Sequence, residues 1–172
     1  MTAWVDALKE QSIPEYAKDT KLNMDAVIKR STLPVEEAEA VALAAAFATG
    51  NSKLWTWIES QLSDRTEAQA ALTAAALMAQ NNVWYPFVEM ADDESLKGLP
   101  AQLRMNAISS HGGTTKERFE AYSLAASIVG KCHFCVKAHY EGLKKMGYSV
   151  EQLRDIGRIA SVITSVARVV AN

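Results

Sequence analysis

The sequence predicts an all-α protein, a compact helical domain, and three observations support this prediction. Alanine and leucine are abundant, whereas only 8 glycines and 4 prolines interrupt the 172 residues. No segment shows the sustained apolar–polar alternation of a half-buried strand. Residues that begin and end helices recur along the whole chain. A chain of this length can bury a substantial core without covalent or metal crosslinks.

The first helix starts lie in the N-terminal third. Ser12 and Pro14 can open a short helix, because proline lacks the N–H that a helix start leaves unpaired. Two glutamates after Pro34 favour the start of a long helix through the helix dipole. Residues 49–51, Thr-Gly-Asn, predict a break after it.

The middle of the chain predicts one alanine-rich helix followed by loops. Asp64, with Glu67 three residues later, is a capping-box pattern. The helix that it opens is predicted to run to about Met78. Residues 92–95 are a predicted loop because they are a cluster of acidic and polar residues. Residues 112–113 are a second predicted loop because both are glycine.

Two more helix starts follow. Thr114 with Glu117, and Ser149 with Gln152, have capping-box spacing. Gly147 suits the position just after a helix end, where the backbone turns left-handed. The last helix is therefore predicted to begin near residue 149.

A short repeat suggests that the chain contains two related halves. Residues 39–45 read E-A-V-A-L-A-A and residues 120–126 read E-A-Y-S-L-A-A, an agreement at five of seven positions. Asn51 and Leu54 of the first copy stand where the second copy has its two cysteines. A duplicated helical unit explains this match, and a chance match between two alanine-rich helices is the alternative.

We therefore predict a single domain over residues 1–172, built from two helical halves that pack together. The first half covers about residues 1–95. The second half covers about residues 96–172 and carries the candidate active site. The two halves are not expected to be independent domains.

Composition and charge narrow the class of protein. The formal net charge is −2, which argues against nucleic acid or an anionic membrane as the main partner. The chain starts without a basic segment before an apolar run, and its apolar runs are too short to cross a membrane. The cytoplasm is thus the expected location. A close cysteine pair there is more often catalytic or metal-binding than structural.

The chemistry of the chain is concentrated in residues 130–140, G-K-C-H-F-C-V-K-A-H-Y, which hold both cysteines and two of the three histidines. With Cys132 in the first turn of a helix, Cys132, Cys135 and His139 share one face at i, i+3 and i+7. His133 points about 100° away. The partial positive charge of a helix start favours thiolate over thiol.

Three interpretations of this segment are open from the residues alone. The pair can close a redox-active disulfide, or be half of a zinc site, or be two inert core thiols. A structural zinc site needs four ligands, and the other candidates, His111 and His133, are poorly spaced. His139 can take a proton from a cysteine, and such a histidine usually needs an orienting acceptor.

Glu120 is the acceptor that we select for His139. It lies on the preceding helix, twelve residues before Cys132. The alternative is an ordinary solvated carboxylate in a first helical turn. Tyr122 and Ser123 are weaker candidates for polar relay groups.

The segment E-A-Y-S-L-A-A-S-I-V-G-K-C-H-F-C-V-K-A-H resembles the active-site signature of the alkyl hydroperoxide reductase D (AhpD) family. This family belongs to the all-helical carboxymuconolactone-decarboxylase-like superfamily. Residues 14–23, 76–85 and 103–108 are also similar to AhpD proteins, so the resemblance covers most of the chain. One position departs from the pattern: the family has a histidine just before the second cysteine, where this chain has Phe134 and places His133 one residue earlier.

The resemblance implies a role for each residue of the signature. Cys135 would be the nucleophile that becomes a sulfenic acid. Cys132 would donate a proton and then resolve that acid into a Cys132–Cys135 disulfide. His139 would be the general base, and Glu120 would orient it. His133 and Tyr122 are candidate modulators by residue type and position, and not from the resemblance.

The resemblance also implies an activity and partners. The protein would be an antioxidant oxidoreductase that reduces organic hydroperoxides and regenerates a peroxiredoxin of the AhpC type. Its electrons would come from the lipoyl group of a lipoylated acyltransferase component, and it would bind no cofactor or metal of its own. The family is typically a homotrimer.

Two other functions remain as alternatives. The first is a redox-sensing module, or a thiol oxidoreductase of another kind, that uses the same cysteine pair. The second is a decarboxylase acting on carboxymuconolactone, but enzymes of that kind lack the cysteine pair.

Overall fold

The computed structural model describes residues 3–11, 13–110 and 113–170. Within these ranges all regular structure is helical, which confirms the all-α prediction. The α-helices are α1 (Ala3–Gln11), α2 (Lys18–Met24), α3 (Val35–Ala48), α4 (Ser52–Gln61), α5 (Arg65–Ala91), α6 (Glu94–Lys97), α7 (Ala107–Ser110), α8 (Lys116–Gly130), α9 (His133–Lys145) and α10 (Val150–Val169). A 3-10 turn (Glu15–Ala17) precedes α2, and a π-helical turn (Asp25–Lys29) follows it.

Several predicted helix boundaries are confirmed. Asp64 caps α5, since its side chain accepts hydrogen bonds from the N–H groups of the second and third residues after it. Ser149 and Gln152 form both bonds of a capping box at the start of α10. Gly147 has a φ of +98° just after the end of α9, which is the left-handed conformation that glycine tolerates best. Ser12 and Gly112, named in the predicted signals, lie outside the described residues.

The predicted end of α5 at Met78 is wrong, because the helix continues to Ala91. Asn81, Asn82 and Pro86 are poor helix formers. Contacts from this stretch hold it against the neighbouring helices: Asn82 donates to Ala126 of α8, the Asn81 carbonyl faces Sγ of Cys135, and Tyr85 stacks on Phe134 of α9. Tertiary packing thus outweighs local propensity in this segment.

Two local assignments also need correction. The residue that caps α8 is Thr115, whose hydroxyl oxygen accepts from the N–H of Arg118, and not Thr114. The hydroxyl of Thr114 instead donates to the buried carboxylate of Glu67 at 2.6 Å. Residues 92–95 are not wholly a loop, because α6 begins at residue 94.

The core lies between α3, α5 and α8, with α10 packed across α3 and α8. α3 is buried along most of its length. The facing sides of these helices are rich in alanine, which lets their backbones approach closely. α9, the helix of the cysteine segment, packs on α8, α5 and α10. Its position is therefore set by three neighbouring helices.

The starts of α4 and α9 have the same local geometry. Oδ1 of Asn51 accepts a hydrogen bond from the N–H of Leu54 at 3.0 Å. Sγ of Cys132 accepts from the N–H of Cys135 at 3.2 Å. These are the positions that the sequence repeat pairs with each other, and this agreement supports a duplicated unit. The division into two halves stays a prediction.

A buried polar network joins the ends of four helices. Arg118 lies between two buried carboxylates, with Nη1 3.3 Å from Oε2 of Glu67 and Nε 3.9 Å from Oε2 of Glu37. Tyr122 donates to Glu67, and Tyr148 donates to Glu37 at 2.5 Å. Burial raises the pKa of Glu37 and of both tyrosines, and the bonds to the carboxylates raise the tyrosine values further. Each buried acid is thus matched by donors.

Asp155 fixes α10 to the segment before α3. Its Oδ2 accepts from the N–H of Thr32 at 2.8 Å and from the Thr32 hydroxyl at 3.0 Å. Burial alone would raise the pKa of Asp155, but these bonds, with Arg158 and Arg154, hold it below its usual value. None of the described helices is long and apolar enough to cross a bilayer.

Candidate active site

The cysteine segment begins at a sharp turn between α8 and α9. α8 ends at Gly130, and Lys131 adopts a left-handed conformation with φ of 55°. Cys132 follows with an extended backbone, and its N–H donates to the carbonyl oxygen of Ser127 at 3.3 Å. Cys132 is therefore the N-cap of α9 and not, as predicted, a residue of its first turn.

Cys132 and Cys135 form a disulfide at the start of α9. Both residues are buried, with exposed fractions of 0% and 3%. Sγ of Cys135 lies 3.7 Å from the carbonyl oxygen of Asn81 on α5, an acceptor that a reduced Cys135 thiol can donate to. Sγ of Cys132 thus accepts from an N–H at the start of α9, and Sγ of Cys135 faces the backbone of α5.

His139 lies one turn after Cys135 on α9 and contacts Glu120 of α8. Nδ1 of the imidazole is 2.6 Å from Oε2 of the carboxylate. The side chain of His139 is 15% exposed and that of Glu120 is 16% exposed. Because a carboxylate only accepts, this short distance places a proton on Nδ1. The geometry brings together the two residues that the sequence analysis paired.

The second ring nitrogen of His139, Nε2, faces the sulfur of Met78 at 3.2 Å. Met78 lies on α5 and is 1% exposed. Sequence reasoning gave this residue no chemical role, because a methionine on an apolar helix face is usually core packing. The contact depends on how α5 and α9 pack, and no local pattern reports it.

Asn82 links α5 to the turn before the cysteines, another contact that sequence reasoning missed. Its Nδ2 donates to the carbonyl oxygen of Ala126 at 3.1 Å. The side chain fills the space beside Gly130, where an added Cβ would lie 2.2 Å from Nδ2. Gly130 therefore allows this close approach and does more than end the helix.

His133 and Phe134 point away from the disulfide, toward the surface. The side chain of His133 is 84% exposed, and its Nδ1 lies 3.4 Å from a carboxylate oxygen of Glu89. Phe134 is 56% exposed and stacks on Tyr85, with ring centroids 4.4 Å apart. Both residues line a mainly apolar cavity of about 640 Å³ between α5, the segment around α6 and the start of α9.

Tyr122, predicted as a modulator, contacts a different part of the molecule. Its hydroxyl donates to the buried carboxylate of Glu67, so it belongs to the polar network around Arg118. The hydroxyl of Ser123, the other weak relay candidate, donates to the carbonyl oxygen of Phe119 within α8. This contact gives Tyr122 a structural role, and the modulating role predicted for it from the sequence is untested.

In the part of the chain that the structure describes, no three histidine, cysteine or acidic side chains come together as metal ligands. His111, one of the two histidines considered for a zinc site, lies outside that part. The sulfur atoms of the other two candidate ligands are bonded to each other.

The chain is similar to known proteins along nearly its whole length. A model of the carboxymuconolactone decarboxylase family matches residues 95–171, the part that includes the disulfide. The chain is 40% identical to the alkyl hydroperoxide reductase AhpD of Coxiella burnetii (strain RSA 493 / Nine Mile phase I), over 93% of each chain. It is 39% identical to the AhpD of Rhodospirillum centenum, over 96% of this chain and 89% of that protein. Nearly complete coverage at such identity shows that the chain belongs to the alkyl hydroperoxide reductase AhpD family.

Proposed function

We propose that the protein is an antioxidant thiol–disulfide oxidoreductase that reduces organic hydroperoxides. One observation carries this proposal: a disulfide at a helix start lies one turn from a histidine that is bonded to a carboxylate. A nucleophilic thiol, a base and a group that orients the base are the parts that such chemistry needs. Membership of the AhpD family supports the same activity.

The peroxide reaction starts from the reduced pair. His139, oriented by Glu120, takes the proton of Cys135. The Cys135 thiolate attacks one peroxide oxygen, the O–O bond breaks, and Cys135 becomes a sulfenic acid. The Cys132 thiol gives its proton to the departing alkoxide, which leaves as an alcohol.

Closure of the disulfide completes this half of the cycle. The Cys132 thiolate attacks the sulfur of the Cys135 sulfenic acid and the new S–S bond forms. Hydroxide leaves and takes from His139 the proton that came from Cys135, which gives water and restores the base. Two electrons have passed from the two thiols to the peroxide. The hydrogen bond from the N–H of Cys135 to Sγ of Cys132 supports this step, because it holds the Cys132 sulfur beside the backbone of Cys135.

Regeneration needs an external dithiol. We propose the lipoyl group of a lipoylated acyltransferase component as the donor, and an AhpC-type peroxiredoxin as a second acceptor of electrons. The burial of both cysteines supports a slender donor such as a lipoyl arm, since a bulky thiol would reach them less easily. No resident cofactor or metal is required for this exchange.

We further propose a cytoplasmic homotrimer. The C-terminal part of α5 exposes large apolar side chains, with Val83 69%, Phe87 47% and Met90 78% exposed. An exposed apolar patch of this kind is typical of a surface that another chain covers.

A coupled assay tests the activity. Wild-type protein, Cys132→Ser and Cys135→Ser are each mixed with dihydrolipoamide and an organic hydroperoxide, with and without a peroxiredoxin. We expect continuous turnover in the wild type, faster with the peroxiredoxin, and loss of turnover in both variants.

The alternatives give different results in the same experiment. A redox sensor would oxidise once and stay oxidised in the presence of reduced lipoamide. A lactone decarboxylase would show no peroxide consumption and would consume carboxymuconolactone in a parallel assay.

A further inference from the structure

The mainly apolar cavity of about 640 Å³ beside the start of α9 has no part in the mechanism proposed above. Tyr85 and Phe134 form one wall of it, with their rings stacked and their centroids 4.4 Å apart. Val88, Leu96 and Leu99 add aliphatic surface. Small-molecule sites in proteins typically measure about 300–1,000 Å³ and have such a lining, with a few polar groups that orient the ligand.

The cavity and the exposed apolar patch of α5 lie on different sides of that helix. Val83, Phe87 and Met90 of the patch follow one another at i, i+4 and i+7, so they form one stripe. Trp84 and Val88 line the cavity, and the helical period turns them by about 100° and 140° from Val83. A second chain can therefore cover the patch without filling the cavity.

Among the described residues, four acidic or basic side chains line the cavity, and three of them have charged or polar partners. Nζ of Lys97 lies 2.7 Å from a carboxylate oxygen of Asp92 and 2.7 Å from one of Glu94. Nδ1 of His133 lies 3.4 Å from a carboxylate oxygen of Glu89, and both of these side chains belong to the lining.

Lys137 is the fourth of these side chains and differs from the others. It is exposed on α9, one turn after His133 and Phe134, so it lies on the same side of the helix as they do. No acidic side chain in the described ranges forms an ion pair with it. A lysine stem can follow an apolar wall while its ammonium stays in water. The cavity thus combines an apolar interior with one uncompensated positive charge at its mouth.

We propose that this cavity binds an anionic amphiphile, a single carboxylate that carries a medium-length or long alkyl chain. The alkyl chain packs against the stacked rings of Tyr85 and Phe134 and removes apolar surface from water. The carboxylate pairs with the ammonium of Lys137. A cationic amphiphile would find no such partner, because Glu89 is already engaged by His133.

This inference goes beyond the proposed function and does not rest on it. Phe134 directly precedes Cys135, but it is 56% exposed and points away from the disulfide. A ligand in the cavity therefore contacts the helix that carries the redox pair without touching a sulfur atom.

Isothermal titration calorimetry with decanoate tests the proposal, at pH 7 and below the concentration at which micelles form. We expect one saturable site per chain. Decyltrimethylammonium, which has the same chain and the opposite charge, should bind at least about 5-fold more weakly. Butanoate, which keeps the head and loses six methylenes, should bind at least about 100-fold more weakly.

A lysine pair tests the charge at the mouth. Lys137→Met keeps an unbranched side chain and removes the ammonium, so decanoate should bind about 2- to 5-fold more weakly while the cation is unaffected. Lys144→Met is the matched control, because Lys144 is also exposed on α9 but does not line the cavity. It should leave both affinities at the wild-type value.

Two blocking variants test the location. Val88→Trp places a large side chain in the cavity and should weaken decanoate binding about 10-fold or more. Ala101→Phe fills the same space from the segment after α6, and it covers the case in which the first variant folds poorly. Val150→Trp is the control, since Val150 is 57% exposed at the start of α10 and lines no part of this cavity.

Three results would overturn the inference: no saturable binding of decanoate to the wild type, equal affinity for the two charged amphiphiles, or undiminished binding in both blocking variants. Sedimentation of the same proteins identifies a different occupant. If both blocking variants lowered the oligomeric state and the wild type bound no decanoate, a second copy of the chain would occupy the cavity. No measurement here requires turnover, so failure of the proposed function in the coupled assay is distinguishable from failure of this inference.

Discussion

Oε2 of Glu120 lies 2.6 Å from Nδ1 of His139, and this contact joins α8 to α9 beside the disulfide. Gly142 of α9 lies beside the same carboxylate oxygen, and an added Cβ there would make an ordinary contact with it at 3.9 Å. A carboxylate held in this way fixes both the orientation and the tautomer of the imidazole.

Loss of either member of this pair is expected to slow turnover. Glu120→Gln and His139→Ala should each reduce the rate of peroxide reduction about 10²-fold or more, because general acid–base catalysis contributes at least that much. The measurement is the steady-state rate with dihydrolipoamide at pH 7. Near-wild-type rates in both variants would remove the pair from the mechanism.

Glu39 offers a matched control for this prediction. It stands at the position of Glu120 in the first copy of the repeat, is 8% exposed, and accepts a hydrogen bond from the indole of Trp4 at 3.1 Å. Glu39→Gln should therefore change the free energy of unfolding without a comparable effect on turnover.

The two cysteines are expected to differ in trapping of the sulfenic acid. After one equivalent of hydroperoxide, Cys132→Ser should carry a dimedone adduct on Cys135, because the thiol that resolves the acid is absent. Cys135→Ser should carry none on Cys132. Mass spectrometry of tryptic peptides measures both, and the opposite pattern would exchange the roles of the two residues.

Two glycine-to-alanine changes are expected to have opposite effects. In Gly130→Ala the new Cβ would lie 2.2 Å from Nδ2 and 2.6 Å from Cγ of Asn82, so that side chain must move. We expect a loss of about 1–3 kcal/mol in the free energy of unfolding, as for other overpacked sites. Gly142→Ala meets only an ordinary contact and should stabilise α9 by about 0.5–1 kcal/mol. Urea unfolding of both variants measures these two changes in the free energy of unfolding. Changes of the same sign and size would contradict the prediction.

The sequence made the cysteine segment predictable because its chemistry is local. Spacing along α9 places Cys135 and His139 on one face whatever the rest of the chain does. Cys132, the N-cap of α9, is joined to Cys135 by the disulfide. Glu120 lies on another helix, and its selection depended on residue type and on the resemblance to a family. In the structure, α8 packs against α9 and places Oε2 of Glu120 2.6 Å from Nδ1 of His139.

Other parts of the site depend on packing that no short pattern encodes. Met78 and Asn82 have ordinary roles by residue type, and only the approach of α5 to α8 and α9 gives them contacts with the site. The same approach explains the wrong end of α5. Either of two adjacent threonines could cap α8 by residue type. Thr114 instead donates its hydroxyl to the buried carboxylate of Glu67, and Thr115 is the cap.

Asp155 is expected to make stability depend on acid pH. Asp155→Asn should lower the free energy of unfolding by about 2–3 kcal/mol at pH 7, because it weakens hydrogen bonds to a buried charge. The pKa of Asp155 is lower in the folded state, so its contribution is full above the usual pKa of aspartate and is lost as the pH falls through the folded value.

The difference in the free energy of unfolding between wild type and Asp155→Asn should therefore become smaller below about pH 4. Urea unfolding at pH 7, 5 and 3.5 measures it. Asp92→Asn, at a side chain that is 84% exposed, is the control and should stay within about 0.5 kcal/mol of wild type at each pH. A difference that is constant from pH 7 to 3.5 would contradict the prediction.

Tyr122→Phe is expected to affect stability and not catalysis. It removes a donor from the buried carboxylate of Glu67, which should cost about 1–3 kcal/mol. The rate of peroxide reduction per folded molecule should stay near wild type, and a large fall would show that Tyr122 modulates the reaction. Tyr16→Phe, at a residue 82% exposed, is the control for the loss of a hydroxyl.

The matching caps of α4 and α9 bear on how the protein tolerates repeated oxidation and reduction. Asn51 holds the first turn of α4 with an oxygen atom, so this type of helix start needs no covalent crosslink. We expect Cys132 to do the same with its sulfur after the bond to Cys135 is reduced, because a thiol sulfur also accepts a hydrogen bond weakly. On the proposed mechanism the backbone around the cysteine pair would then keep its conformation, and each electron transfer would change bonds between two atoms without refolding the segment that carries them.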